Sequence, residues 1–256
     1  DVVLFPRAQR DTDLPDQGFH YCPLDFEFSG VTIPAGLSVT IAPGTAIAAF
    51  GTNGSTFSLA LGNGSTLASA GSPLQRNYFV EYGLVQELQP TNWFVSQSLS
   101  MLADSGSPLG VRFRFCDFSI AAQDMMVMLG LNVVANFRDC EFHSGQIWNY
   151  SSTMNFSNCL LDRVFCDLEP PYSAASPALR NNLFRAGAFF FSPDPDLVPV
   201  VEDNLFDSTS LPFSLFSGPP LDYNAYFNSE QISPAGAHDQ ILTNTKQTEP
   251  DRAQEL

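Results

Sequence analysis

Four side chains in the middle of the chain have the types and spacing that acid–base chemistry requires. Asp139, Glu141 and His143 alternate along a strand-like segment, so we expect them on one outer face. Asp117 lies one repeat earlier and is expected next to Glu141. Two carboxylates about 5 to 10 Å apart can serve as the acid and base of glycoside hydrolysis, and a histidine can tune one of them. These four residues are the candidate site if the protein is an enzyme.

The same cluster has a simpler interpretation as a solvated acidic strand. Arg114 and Arg138 are expected to stack beside it and to balance part of its charge. Because the chain holds 27 Asp and Glu residues, carboxylates come together by accident, and we favour this interpretation. The sequence therefore predicts no catalytic residue.

Metal ligands are badly spaced for a dedicated site. The calcium candidates crowd one region and offer hard oxygen ligands, but their spacing matches no established calcium loop. They are Asp194, Asp196, Asp203 and Asp207. The five cysteines form no CxxC pair and the three histidines are scattered, so a structural zinc site is not expected. We predict neither a metal nor a cofactor.

Composition and charge narrow the classes of partner. With 256 residues and 44% hydrophobic residues, the chain can bury a substantial core in one domain. The 27 acidic and 11 basic residues give a net charge of −16, which repels nucleic acid and anionic membranes. No apolar run approaches the roughly 20 residues that cross a bilayer. We therefore expect neither nucleic-acid binding nor membrane insertion.

A repeat in the second half tells us which elements position these side chains. Six segments align without gaps over six positions, at a variable period of about 22 residues that fits the coils of a solenoid. The first and last positions are apolar in every segment. The segments are Phe113–Phe118, Phe137–Phe142, Phe156–Leu161, Leu179–Phe184, Val201–Phe206 and Leu221–Tyr226.

The fourth position of the repeat carries a small polar residue or a thiol. Its members are Cys116, Cys140, Cys159, Asn182, Asn204 and Asn224. Apolar residues five positions apart imply a bend between them, since an unbroken strand would point them to opposite faces. The fourth position then lies inside the bend, where stacked Asn side chains can pass hydrogen bonds along the axis. We predict that these six residues form a structural ladder.

Cysteine pairing stays open at this stage. The three ladder cysteines stack at strand spacing, within disulfide reach if their side-chain directions allow it. At least one must stay free or pair with Cys22 or Cys166. We favour buried free thiols.

The first half fits the same architecture. Val31–Ile47 alternates apolar and small polar residues between Pro- and Gly-containing turns, and helix content is expected to be low. The competing fold is an antiparallel sandwich, which has no reason to repeat a Cys/Asn column. We predict an all-β, right-handed parallel β-helix of about nine coils. Its parts are an N-terminal cap or docking segment (residues 1–28), the solenoid (29–230) and a polar tail (231–256).

A family resemblance supports this architecture. The run GVTIPAGLSVTIAPGTAI and the later NNLF, DNLF and DYNAYFN coils resemble secreted bacterial β-helix proteins of the pectate-lyase-like superfamily. The superfamily holds lyases, hydrolases, adhesins and inert scaffolds, so the resemblance implies the fold more than the activity. Pectate lyases use carboxylate-held calcium with a basic residue, and polygalacturonases use clustered aspartates. The sequence shows neither pattern.

These observations favour a non-catalytic extracellular structural or surface module. Val2–Phe5 either caps its own coil or docks onto a neighbouring molecule, which makes self-association the expected partner interaction. Leu160, Leu183 and Leu205 are expected to align outward, either exposed or, as we favour, covered by loops. The alternative is a polysaccharide-active enzyme or carbohydrate-binding module.

Four N-x-S sequons weakly favour secretion. They stand at Asn53, Asn63, Asn149 and Asn155.

Overall fold

The computed structural model describes most of the chain between residues 24 and 243. The described ranges are 24–50, 57–81, 99–103, 109–119, 125–129, 133–150, 152–169, 177–191, 199–211 and 221–243. Over these ranges the protein is all-β, with 24 strands and no helix, and hence no helix able to cross a membrane. The expectation of low helix content is confirmed for this part of the chain.

The strands form three sheets, and every strand neighbours another in parallel. The first sheet holds, in order, β1 (Phe26–Phe28), β4 (Ala46–Ala49), β7 (Asn77–Glu81), β10 (Cys116–Ser119), β13 (Glu141–His143), β16 (Leu160–Asp162), β19 (Leu183–Arg185), β22 (Leu205–Asp207), β23 (Ala225–Phe227) and β24 (Gln240–Leu242). The second holds β2 (Val31–Ile33), β5 (Leu59–Leu61), β8 (Leu99–Ala103), β11 (Met125–Leu129), β14 (Gln146–Tyr150), β17 (Phe165–Glu169) and β20 (Ala188–Phe191). The third holds β3 (Ser38–Ile41), β6 (Thr66–Ala70), β9 (Leu109–Arg114), β12 (Val133–Arg138), β15 (Thr153–Ser157), β18 (Ala178–Arg180) and β21 (Val200–Glu202).

From β1 to β22 the chain visits the three sheets in turn, so each strand pairs with the strand three elements later. At the C-terminal end, β22, β23 and β24 pair consecutively within the first sheet. This order is that of a parallel β-solenoid, and the all-β parallel prediction is confirmed. The antiparallel sandwich is wrong, because all strand pairings among the described residues are parallel; the single antiparallel contact is the isolated bridge between Ser72 and Gln75. The coil count, the right hand and the N-terminal cap stay predictions.

Aromatic stacks fill the interior between the sheets. One line of side chains, which we call the inner row, takes one residue from every strand of the first sheet and is buried from β4 to β23. Its members are Phe26, Ile47, Phe79, Phe118, Phe142, Leu161, Phe184, Phe206, Tyr226 and Ile241. The rings of Phe118 and Phe142 stack at 4.6 Å between centroids, and across the core Phe113 stacks on Phe137 at 5.1 Å. Both apolar positions of the repeat therefore face one core.

Tight bends interrupt the strands, and the bend at the third position of the repeat brings its first and sixth positions to the same side. The third position of each repeat is left-handed, with φ between 48° and 63° at Phe115, Asp139, Asn158, Asn181, Asp203 and Tyr223. A second left-handed residue directly follows the first-sheet strand in later coils, at Ser144, Arg163, Ala186, Ser208 and Asn228. Asp and Asn tolerate this conformation better than other non-glycine residues, which explains their frequency at the third position.

Strands are present in both terminal segments that were assigned on the sequence. β1 already lies within the segment assigned to the cap, and β24 pairs with β23 beyond residue 230. The proposed docking strand Val2–Phe5 and residues 244–256 lie outside the described residues.

Candidate functional site

The outer face of the first sheet brings three of the four candidate site residues together. Asp117 on β10 is in register with Glu141 on β13, and His143 follows Glu141 on the same face. Because side chains alternate along a strand, Glu141 and His143 both point away from the core while Phe142 points into it.

A histidine lies at the centre of this arrangement. His143 Nε2 is 3.3 Å from Glu141 Oε2 and 3.6 Å from Asp117 Oδ2, and its Nδ1 is 4.0 Å from Asp162 Oδ2. The other oxygen of Glu141, Oε1, is 2.6 Å from Nη1 of Arg76. We call these five residues the His143 cluster.

The cluster is a network of ion pairs. Hydrogen bonds to Asp117 and Glu141 raise the pKa of His143 to about 9, although its burial acts in the opposite direction. The pKa of Glu141 is lowered, mainly by its hydrogen bond to His143 and then by the charge of Arg76. At neutral pH the histidine is therefore cationic and Glu141 is anionic. A general acid needs a carboxyl group with a raised pKa, whereas the surroundings of Glu141 lower its pKa.

Asp139 lies apart from this network. It occupies the left-handed bend instead of a strand, so the alternation that would align it with Glu141 is interrupted there. Its carboxylate accepts hydrogen bonds from Arg114 Nε at 3.2 Å and Asn158 Nδ2 at 2.6 Å, and Arg138 Nε is 3.5 Å away. The two arginines thus balance Asp139 and not the strand that follows it.

Arg76 and Asp162 belong to the His143 cluster but lie outside the aligned positions of the repeat. Arg76 ends an insertion between β6 and β7 that the alignment does not cover. Asp162 occupies the same outward position on β16 as His143 on β13, one place beyond the aligned six. Reading the repeat one position further would have found Asp162.

The Cys/Asn column lies on the inner side of the first bend. Cys159 N donates to Asn182 Oδ1 at 2.9 Å, Asn182 N to Asn204 Oδ1 at 3.0 Å, and Asn204 N to Asn224 Oδ1 at 3.2 Å. We call Asn182, Asn204 and Asn224 the Asn ladder. Each amide nitrogen also donates to backbone carbonyls, as Asn224 Nδ2 does to Val201 O at 2.9 Å.

Two further residues extend the column at its ends. Asn77 is paired with Cys116, and its Oδ1 accepts from Thr45 N at 3.0 Å. Asp239 Oδ1 accepts from Asn224 N at 2.9 Å and so takes the place of the next Asn. The signal for Asn77 is the shortened motif Asn77-Tyr78-Phe79, which repeats positions four to six.

The thiols of the column are buried. Cys116, Cys140, Cys159 and the second-sheet residue Cys166 are free cysteines. A hydrogen bond to Cys140 together with burial raises the pKa of Cys116, and burial raises the pKa of Cys140 to about 12. A thiol in this state is protonated at neutral pH and is a poor nucleophile.

A shallow groove of about 620 Å³ runs along the outside of the bend. Leu160, Leu183 and Leu205 line it, in register on three neighbouring strands and each half-buried. Outer polar residues form its wall, with Asn181 Nδ2 donating to Asn158 Oδ1 at 3.1 Å. The loops expected to cover the leucines fall largely outside the described residues.

Two of the four calcium candidates, Asp194 and Asp196, lie outside the described residues. Of the other two, Asp203 lies in the bend before β22 and Asp207 ends that strand.

In two of the sequons the asparagine side chain makes hydrogen bonds within the fold. Asn149 is buried, and its Nδ2 donates to Ser152 O at 2.7 Å. Asn155 Nδ2 donates to Asn136 Oδ1 at 3.0 Å. Asn63 is exposed in a turn, and Asn53 lies outside the described residues.

Comparisons of the chain with protein-family models, with curated proteins and with solved structures found no match.

The charge of His143 makes a testable contribution to stability. Its folded pKa of about 9 exceeds the unfolded value of about 6.5, so the stabilisation is complete below about pH 6.5 and is lost as pH rises through about 9. In buffer that contains a chelator to remove metal ions, we expect the wild-type melting temperature to fall by a few degrees as the pH rises from about 6.5 to about 9. His143→Gln should flatten this part of the curve.

The control for this measurement is His238→Gln, since His238 pairs with Asp222 at 2.7 Å on the exposed surface. Thermal unfolding followed by circular dichroism at a series of pH values gives the readout. Parallel curves for the wild type and His143→Gln would show that the cluster does not hold a proton in this window.

Proposed function

We propose that the protein is a non-catalytic structural module, an acidic right-handed β-helix of the pectate-lyase-like type with about nine coils. It acts outside the cell or at the cell surface, as a rigid element that associates end to end with further copies of itself. Its N-terminal segment caps the first coil or docks onto a neighbour.

The ion pairing of the candidate site carries this proposal. Glu141 is held by Arg76 and His143, Asp117 by His143, and Asp139 by Arg114. Carboxylates bound in this way brace neighbouring strands. Glu141, whose pKa is lowered, is not the raised-pKa acid that glycoside hydrolysis needs.

The inner row supports association through the ends. It begins with Phe26 on β1, which is half-buried, and finishes with Ile241 on β24, which is 71% exposed. Among the described residues, β1 and β24 are the two edge strands of the same parallel sheet. A second molecule can therefore place its β1 against β24 with the strand direction kept and the apolar row continued, which is β-strand addition between copies.

Replacing Ile241 tests this association. We expect the wild type to show a mass that rises with concentration in size-exclusion chromatography with light scattering, and rods of several lengths in negative-stain images. Ile241→Asp should remain a monomer, because a buried carboxylate at the junction is costly. Leu74→Asp, at a residue 96% exposed on a turn between β6 and β7, is the matched control and should assemble like the wild type.

A wild-type monomer at every concentration would contradict end-to-end association. Turnover of any glycan in a screen of plant and algal polysaccharides would contradict the non-catalytic assignment.

The groove favours carbohydrate binding as the second candidate function. Its leucine floor can contact the apolar faces of sugar rings, and the amide and carboxylate wall can bind their hydroxyl groups. The same glycan screen, read for binding as well as for turnover, tests it. Activity that survives Glu141→Ala would exclude the His143 cluster as its source.

A further inference from the structure

We propose that Asp117, Glu141 and His143 form a binding site for Zn²⁺. One donor atom from each of the three residues can be chosen so that all lie within 4.8 Å of one another. Two of the separations, 3.3 and 3.6 Å from His143 Nε2, match the spacing of about 3.3–3.5 Å between ligands that surround zinc tetrahedrally at 2.0–2.2 Å. The inference goes beyond the structural role proposed above and does not depend on it.

The arrangement of Arg76 leaves the ligand oxygen accessible. Arg76 holds Oε1 of Glu141, whereas Oε2 is the oxygen that faces His143. The guanidinium thus orients the carboxylate without occupying the metal-facing oxygen. All three ligand side chains are only partly buried, so an ion can reach them from solvent.

A buried carboxylate behind the histidine provides an independent observation. Asp162 is 7% exposed, and its Oδ1 accepts no hydrogen bond from the described residues, although Arg185 Nε is 3.4 Å away. Its Oδ2 accepts from Arg163 and lies 4.0 Å from Nδ1 of His143. A metal-bound histidine almost always directs its second nitrogen at a carboxylate or carbonyl. Asp162 is the carboxylate on that side of the His143 ring, at 4.0 Å, which is longer than a hydrogen bond.

The donor set selects the ion. One imidazole and two carboxylates suit zinc, whereas calcium requires six to eight oxygen ligands. Zn²⁺ takes the place of the proton on Nε2, which is released. It joins two neighbouring strands, relieves the repulsion between Asp117 and Glu141, and leaves its fourth position to water.

Zinc titration of the metal-stripped full chain tests the site. We expect isothermal titration calorimetry to give one equivalent of Zn²⁺, and Co²⁺ to give visible absorption bands at the same stoichiometry. His143→Ala should abolish both signals, and Asp162→Asn should weaken zinc binding by roughly 10–100-fold while keeping the stoichiometry. Zn²⁺ at about 100 times its dissociation constant should raise the melting temperature by roughly 5–10 °C.

His238→Ala is the matched control, since it removes a histidine that is paired with only one aspartate, and it should bind zinc as the wild type does. Far-UV circular dichroism checks that each variant is folded. If His143→Ala fails to fold, Asp117→Asn supplies the same comparison with nearly unchanged volume. The proposal is overturned if the wild type takes up no zinc, or if the ligand variants bind it as tightly as the wild type.

Discussion

Asn204→Ala is expected to lower the free energy of unfolding by about 3–5 kcal/mol, and the melting temperature by roughly 2–4 °C for each kcal/mol. The Asn204 side chain takes part in five hydrogen bonds inside the bend. Its Oδ1 accepts twice from Asn182, and its Nδ2 donates to Leu179 O, Glu202 O and Asn224 Oδ1. Alanine removes all five and takes away the acceptor of the buried Asn182 backbone N–H, a cost of about 1–3 kcal/mol for a group that water cannot reach.

The control for this substitution is Asn63→Ala, at an exposed turn position, which should change stability by no more than about 0.5 kcal/mol. Denaturant unfolding of the three proteins gives the comparison. Equal stability of the two variants would mean that the Asn ladder carries no net energy.

The ladder shows what a sequence reveals about a parallel solenoid. Parallel strands in register place equivalent residues directly above one another, so structural repetition becomes sequence repetition. Asn182, Asn204 and Asn224 could be identified for this reason, and the bend could be inferred from the two apolar positions on either side of them. The fold class followed from that single column.

The cation partners could not be predicted in the same way. Arg76 enters the His143 cluster from an insertion whose length follows no repeat. Asp139 leaves the cluster because one left-handed residue resets the alternation of side chains, and this depends on a backbone angle that many sequences can adopt. The candidate residues were therefore found from their types, whereas their charges and roles required the coordinates.

The residues inside the bend and those outside it have different chemistry, and this difference decides which surface can bind a ligand. Inside the bend, the Asn amides and the thiols are buried and hydrogen-bond to the backbone, so they are not in contact with solvent. Outside, the groove and the His143 cluster remain within reach of solvent. Substitutions inside should thus change stability alone, whereas those outside should also change binding.

Phe137→Ala is expected to be as damaging as the loss of the ladder amide, at about 3–5 kcal/mol, for a different reason. Phe137 is 1% exposed and stacks between Phe113 at 5.1 Å and Phe156 at 4.9 Å, with edge contacts to Phe118 and Phe142. Its removal opens a cavity in the middle of the stack and takes away aromatic contacts worth about 0.5–1.5 kcal/mol each.

Because each coil of a solenoid contacts only its neighbours, the damage from Phe137→Ala should be local. Native-state hydrogen exchange should speed up most in β9, β12 and β15, which carry the stacked rings, and least in β1 and β24 at the ends. Phe165→Ala, at an exposed ring on β17, is the control and should cost about 1 kcal/mol or less. Uniformly faster exchange along the whole chain would instead show that the solenoid unfolds as one cooperative unit.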